Sequence, residues 1–371
     1  MKFTTTKSEI LGSLQRAASV ASSKGTLPIL EHLLIEVQHT HGRITASDLE
    51  IQVVSLPEGI RTETEGRVCI PAKKVHDIVK LLPDGDISFT LTGEKLSIKS
   101  GKSRYSISTL PAENFPAFDR GDVGQTVVVS AETLRNAIRK TRYAMAQNDV
   151  RYYLNGMALQ VENGIMRTVA SDGHRLAFFE SGMPDLDTQT PLVIVPPKGI
   201  DEIAKLCAEA LKNDAEAEIT LSVGSSSISA DYNGIVIASK LIEGKFPDYN
   251  RVIPKQFTTE LFADAKELNA AVNRVSVVSD DKTSAVLVEV TESAINLRAS
   301  HSGSEEAEDV VASMGFDGKK ASAAFTASYL SDALAAVSGT DASIKLTDTG
   351  IAVISDTTDD SWLCVVMPRR V

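Results

Sequence analysis

Cysteine is rare in this chain: Cys69, Cys207 and Cys364 are the only three among 371 residues, far apart and odd in number. That excludes a disulfide framework and a cysteine-based metal motif. It suits a reducing cytoplasm, with each thiol acting as a small buried apolar group. The six histidines and the many carboxylates show no ligand spacing either, so neither a metal nor any other cofactor is expected. No apolar run approaches the ~20 residues that cross a bilayer, and the opening Met1-Lys2-Phe3-Thr4 has no apolar core of a secretory signal. The expectation is a cytoplasmic protein without membrane contact. Positive charge is also in deficit, 38 Lys and Arg against 49 Asp and Glu, for a net −11. Taken alone, that balance argues against a nucleic-acid partner.

The distribution of charge changes the picture. Residues 1–122 carry 15 basic and 15 acidic side chains, residues 123–253 carry 13 and 16, and residues 254–371 carry 10 and 18. The ends of the chain therefore differ strongly, and an end-to-end contact between copies is electrostatically favoured. The same three stretches repeat a pattern. Amphipathic helices are predicted from Lys7, Ser130 and Asp264, and a second set from Pro71, Pro197 and Ser328, each followed by alternating strands. Ala46-Ser47-Asp48, Ala170-Ser171-Asp172 and Ala299-Ser300-His301 echo one another, as do Leu110 to Pro116 and Leu241 to Pro247. A repeat of this length is a whole domain triplicated, not a solenoid unit. The predicted class is α+β, three domains of antiparallel sheet with two helices each. Their spans are 1–122, 123–253 and 254–371, with linkers at 118–126 and 248–257.

The densest stretch runs from Asp149 to Ala177. Met157–Val161 and Ile165–Ala170 are rich in strand formers and flank Asn163-Gly164, a strong hairpin signal. That hairpin brings Arg151-Tyr152-Tyr153 close to Asp172-Gly173-His174-Arg175. Two catalytic readings fail here. Gly101-Lys102-Ser103 lacks the upstream glycine of a phosphate loop, since that position is Leu96, and it leads into a strand. Asp172 and His174 invite a hydrolase reading, but Ser171 lacks a nucleophile elbow, and a polar turn is the better account. Basic stripes recur on the helices instead. They are Arg135, Arg139 and Arg142, then Lys73 with Lys80, then Lys198 with Lys205, so a localised positive surface in an acidic protein points to nucleic acid. The C-terminal run from Trp362 closes a sheet, with Met367 and Pro368 projecting past it to line a groove.

Together, Thr26 to Leu30, Asp149 to Met157, Ser171 to Leu176, Lys245 to Tyr249 and Val365 to Pro368 resemble the bacterial DNA polymerase III beta subunit family, the sliding clamps. The resemblance spans the whole chain and its triplication. It implies a DNA replication processivity factor, not an enzyme. In that family a head-to-tail homodimer of six like domains forms a ring, with helices facing duplex DNA without reading its sequence. It places DNA contacts on Lys24, Lys73, Asn148, Tyr152 and Tyr153. It also implies a groove between the second and third domains for peptides of the polymerase III alpha subunit, the clamp loader and other clamp-binding proteins. The groove residues would be Leu154, Ser171, Gly173, His174, Arg175, Leu176, Pro247, Arg251, Val252, Val365, Val366, Met367 and Pro368, with His174 and Arg175 orienting polar groups at the rim. The tail departs from the family's Met-Pro-Met-Arg-Leu ending at Arg369, Arg370 and Val371. The charge split places the dimer contact between Lys74, Lys102 and Arg104 on one side and Glu305, Glu306 and Glu308 on the other, with Val277 and Val278 as its apolar centre. A hydrolase and a monomeric DNA binder with an open groove remain the rival classes.

Overall fold

The computed structural model describes residues 1–21, 27–39, 41–119, 121–122, 124–183, 188–279, 285–301 and 305–369. In chain order the first repeat is β1 (Lys2–Thr6), α1 (Lys7–Val20), β2 (His32–Val37), β3 (Gly42–Ser47), β4 (Ile51–Ser55), β5 (Arg61–Thr64), β6 (Gly66–Pro71), α2 (Ala72–Leu81), β7 (Asp86–Thr92), β8 (Lys95–Ser100) and β9 (Ser103–Ser108). The second is β10 (Gln125–Ser130), α3 (Ala131–Thr141), β11 (Met157–Glu162), β12 (Ile165–Ser171), β13 (Arg175–Gly182), β14 (Val193–Val195), α4 (Pro197–Asn213), β15 (Glu218–Val223), β16 (Ser227–Tyr232) and β17 (Ile235–Lys240). The third is β18 (Thr259–Asp264), α5 (Ala265–Ser276), β19 (Ala285–Val290), β20 (Ala294–His301), β21 (Glu305–Ala312), β22 (Gly315–Gly318), β23 (Ala321–Thr326), α6 (Ala327–Ala336), β24 (Asp341–Leu346), β25 (Ala352–Asp356) and β26 (Trp362–Val366). Three domains of antiparallel sheet with two helices apiece are thus present, as the α+β reading expects.

Local chemistry accounts for the element ends. Thr6 and Glu9 form a reciprocal capping box on α1, and Asp264 accepts from the Glu267 amide to start α5. Asn163 and Gly164 both have positive φ, 54° and 69°, the geometry that lets a two-residue turn match the twist of its strands. Gly101 turns β8 into β9 with φ 54°, so the Gly101-Lys102-Ser103 run is a hairpin tip.

Packing follows two compact units, Met1–Glu132 with Asp201–Leu241, and Thr133–Ile200 with Ile242–Val371. The sheets explain this division. In the first unit one sheet runs β10-β15-β16-β17-β4-β3-β2-β6, so the last strand of the second repeat pairs with the third strand after α1. In the second unit one sheet runs β14-β11-β12-β13-β26-β25-β24-β18-β22 and repeats that join between β26 and β13. Each unit also holds a smaller sheet from a single repeat, β5-β1-β7-β8-β9 in the first and β21-β20-β19-β23 in the second. Their edge strands β9 and β21 are the counterparts of the strands that form the two joins.

A charge buried beneath the second join organises the core there. Trp362 is 1% exposed, and its indole N–H donates to the Lys140 carbonyl at 2.8 Å. The Lys140 ammonium, also buried, donates to Asp359 at 2.5 Å and lies 5.7 Å from the Trp362 ring centroid. Arg135 and Arg139 are exposed on α3 as the stripe reading expects, whereas Lys140 turns inward. Trp362→Ala is expected to destabilise the second unit by about 3–5 kcal/mol, read as an earlier urea transition in near-UV circular dichroism, because it removes both the ring and the cap on Lys140.

Candidate functional site

The hairpin of β11 and β12 delivers two loops to one end of the second unit. The first runs from Asn148 to Tyr153. Asn155 ties its base, accepting from the Asp149 amide and donating to the Asp149 carbonyl, both at 2.9 Å. Asp149 in turn holds the Arg151 guanidinium at 2.8 and 3.0 Å. With the ends tied inward, the tip points outward: Asn148 adopts φ 55°, Val150 is 95% exposed and Tyr152 57%. Tyr153 is half-buried and meets Tyr152 edge-on at 5.8 Å. An edge-on aromatic pair with one open face can stack on a base.

The second loop is the turn Ser171 to Arg175. Asp172 accepts from the His174 and Arg175 amides at 2.8 and 2.9 Å, and Ser171 Oγ donates to the Arg175 carbonyl at 2.8 Å. Gly173 has φ 87°, and a Cβ there would lie 2.7 Å from the Arg151 guanidinium, so only glycine lets the loops touch. Arg151 donates to the Asp172 carbonyl at 3.0 Å and closes that contact. Asp172 is therefore spent on backbone groups and on Arg175, and the His174 ring stacks toward Tyr329 at 6.4 Å. The turn gathers no nucleophile with a base in reach, which is the polar-turn reading.

Beside these loops, Leu154, Leu176 and Val365 are buried in one apolar cluster with Ala158, Val169 and Phe246. Val252 packs against it half-covered, and Pro247 and Arg251 stand exposed beyond. Val366 is fully buried. Of the lining proposed from sequence, Leu154, Leu176, Val365 and Val252 are thus brought together, and the first three form a floor, not open walls. Two expectations need correction. Met367 and Pro368 do not project free: the Met367 amide donates to the His174 carbonyl at 2.9 Å, and the Arg369 amide to the Ala324 carbonyl at 2.7 Å, because β23 offers an open edge that the tail can pair. Arg175 is not a rim group. Its side chain is only 10% exposed and bonds Asp172, Asp332 and the Tyr143 carbonyl, between the Tyr143 and Tyr329 rings at 5.4 and 4.4 Å. Burial disfavours its charge, and the Asp332 and Asp172 contacts outweigh that, so Arg175 titrates above its ordinary range. Burial also lifts the neighbouring Tyr143 hydroxyl well above its ordinary value and the Cys364 thiol to about 12.

The remaining candidates lie elsewhere. Lys73 is exposed on α2, and Lys24, Arg370 and Val371 lie outside the described residues. Lys74 on α2, Lys102 before β9 and Arg104 on β9 are exposed, as are Glu305, Glu306 and Glu308 on β21. Glu308 already pairs with Arg298 at 2.8 Å. Val277 is 82% exposed at the end of α5, with Val278 half-buried beside it. Sequence reasoning missed Leu81, which is 83% exposed at the end of α2; it reads as an ordinary helix residue until its lack of cover is seen.

Residues 1–119, 128–248 and 250–370 match the family models for the N-terminal, central and C-terminal domains of the DNA polymerase III beta subunit. The chain is 34% identical over 372 residues to the beta sliding clamp of Vibrio cholerae and 35% over 373 residues to that of Escherichia coli, each alignment covering 100% of both chains. Among solved structures, the DNA polymerase III subunit beta of Pseudomonas aeruginosa matches with a TM-score of 0.94 at 34% identity over 100% of both chains. A sliding clamp of the same organism bound to griselimycin matches equally, with a TM-score of 0.94.

The Arg151 bond, first among its causes, holds the Asp149 carboxyl down to about 2 against an ordinary 3.8. Its contribution to the loop is whole above the ordinary value and is lost as pH falls through the lowered one. The Asp149 carboxyl carbon is expected to titrate near 2 by NMR, and Arg151→Met to return it toward ~3.9.

Proposed function

The chain belongs to the DNA polymerase III beta subunit family, the sliding clamps, processivity factors that are not themselves catalysts; from that premise we propose that it closes into a head-to-tail dimeric ring on duplex DNA. Within the ring, the three domains 1–122, 123–253 and 254–371 follow one another twice. The ring tethers the replicative polymerase through a peptide groove. The observation that carries this reading is the repeated sheet join. Phe3, Val127 and Leu261 each stand four residues before the first residue of their helix. Following the ladders outward from them leads to Tyr105, Ile237 and Cys364. Ile237 pairs with Val53, and Cys364 with Ala177. Val53 and Ala177 lie opposite Ala46 and Ala170, as Ala307 lies opposite Ala299. The third join is therefore Tyr105 against Ala307 of the partner subunit, which sets Arg104 against Glu308 of the partner subunit. Joined so, the two smaller sheets become one of nine strands, the size of the larger of the two internal sheets.

The apolar part of that contact follows from the same rule. α2 and β9 flank a depression of about 710 Å³ lined by Lys74, Asp77, Ile78, Leu81 and Tyr105. Leu81 and Val277, both more than four-fifths exposed in the single chain, are the residues that the depression would bring together. Burying such side chains contributes ~1.5–3 kcal/mol each, against ~0–1 kcal/mol for an exposed ion pair, so apolar packing carries the stability and Lys74, Lys102, Arg104, Glu305, Glu306 and Glu308 set the register. Val278 borders this contact.

The basic helix residues, with Lys73 and Asn148, face the duplex, and Tyr152 and Tyr153 stack on bases where a strand leaves it; Lys24, outside the described residues, is a further DNA contact of the same proposal. The partner groove lies over the Leu154, Leu176 and Val365 floor, with Val252, Met367 and Pro368 at its margins, Ser171, Gly173 and His174 along one side, Pro247 and Arg251 beyond, and Val366 beneath. Its occupants are short segments of the polymerase alpha subunit, the clamp loader and related proteins in the cytoplasm. Two apolar anchors suffice for a micromolar site once ordering costs are met.

Val277→Asp and Leu81→Asp are each expected to yield monomers in sedimentation. Arg104→Cys combined with Glu308→Cys is expected to give a disulfide-linked dimer on oxidation, whereas Arg104→Cys with Glu306→Cys is not. Dimers that survive both charge substitutions would place the contact elsewhere. Deleting 367–371 is expected to abolish binding of a peptide carrying Gln followed by Leu and Phe, read by calorimetry, with the dimer intact.

A further inference from the structure

Arg175 is one of the side chains that cross the second join. Arg175 belongs to the second repeat, yet its Nη1 donates to Asp332 Oδ2 on α6 of the third at 2.6 Å, while Nη2 donates to the Tyr143 carbonyl at 2.5 Å and Nε to Asp172 Oδ2 at 3.1 Å. The internal repeat shows where this arrangement comes from. Glu202 and Asp332 stand eight residues after Ile194 and Ala324, the strand residues whose carbonyls accept from Ile242 and Arg369. Ser19 and Tyr143 stand twelve residues after the first residues of α1 and α3. At the first join Ser19 Oγ donates directly to Glu202 Oε2 at 3.2 Å. At the second, the equivalent pair is Tyr143 and Asp332, and the guanidinium of Arg175 has been inserted between them.

That insertion ties a loop to a helix. The same Asp172 that receives Arg175 Nε also caps the His174 and Arg175 amides, and the His174 carbonyl in turn receives the Met367 amide. The chain of bonds therefore runs from Asp332 through Arg175 and Asp172 to the turn and on to the tail. We propose that Asp332 is a positioning residue for the peptide groove, holding the turn from Ser171 to Arg175 and the start of the C-terminal tail in the arrangement that a partner peptide meets. The proposal rests on the groove reading given above. Two carboxylates share the one guanidinium. Without Asp332 the guanidinium is drawn toward Asp172, competes with the two amides that Asp172 caps, and slackens the turn. The Asp332 side chain is 44% exposed, so its removal opens no cavity, and the loss acts on the loop and not on the fold.

The full-length protein, Asp332→Ala and Asp332→Glu are compared by fluorescence anisotropy with a labelled peptide carrying Gln followed by Leu and Phe. Amide exchange at His174, Arg175 and Met367 is followed by NMR without peptide. The expected result is about tenfold weaker binding for Asp332→Ala, faster exchange at those three amides, most of the affinity restored in Asp332→Glu, and an unchanged sedimenting mass. If the unmodified protein binds the peptide and Asp332→Ala binds it equally, with the same exchange, the positioning role is overturned and the groove stands. If the unmodified protein does not bind the peptide, the groove reading is removed and the proposal with it.

Discussion

An edge strand presents backbone donors and acceptors that must be paired, covered or left to water. This single constraint orders the rest of the molecule. Each repeat carries two half-sheets, and each half-sheet has one edge that cannot be closed within its own repeat. The chain closes four of those six edges internally, in two joins, β17 against β4 and β26 against β13. It leaves β9 and β21 at the edges of their sheets. In the proposed ring, the same rule that merges neighbouring repeats into shared sheets pairs these two edges with those of a second copy. The compact packing units cut across the repeats for the same reason: the hydrogen-bonded ladders bridge the repeats instead of stopping at the linkers.

Much of this was legible locally. Asn163-Gly164 announces its hairpin because two positive φ values in succession admit few other residues. The helices announce themselves through apolar spacing, and the threefold echo around Ala46, Ala170 and Ala299 marks corresponding strands. What stayed hidden depended on distant partners. Arg175 reads as a charged rim residue until Asp332, 157 positions later, is seen to bond it. Lys140 stands beside the Arg135 and Arg139 stripe, and nothing local says that Trp362 and Asp359 will enclose it. The tail reads as a free projection because nothing in its own sequence says that Ala324 will accept from it. Spacing reports the face a side chain takes on its own helix or strand, not what another repeat brings against that face.

The net charge of −11 and a DNA-binding role are reconciled by placement. A protein held on DNA by closure needs few phosphate contacts, and weak contacts favour sliding. The acidic excess can then sit on the third domain, where Glu305 and Glu306 have no ion-pair partner among the described residues, and where, in the proposed ring, it would complement the neutral first domain of the next copy. The groove uses different physics. Its aliphatic floor is already buried in the free chain, so in the proposed complex the gain comes from the peptide's own apolar anchors leaving water, and the cost of ordering falls on the peptide, since the turn beside the floor is held by Asp172 and Arg175.

In the proposed ring, closure and not tight contact keeps the protein on DNA. Loaded by its clamp loader onto a nicked circular duplex, the protein should remain through gel filtration in moderate salt and leave when a single cut linearises the circle. Retention on the linear product equal to that on the circle would show that contact, and not closure, holds it, and would contradict the account.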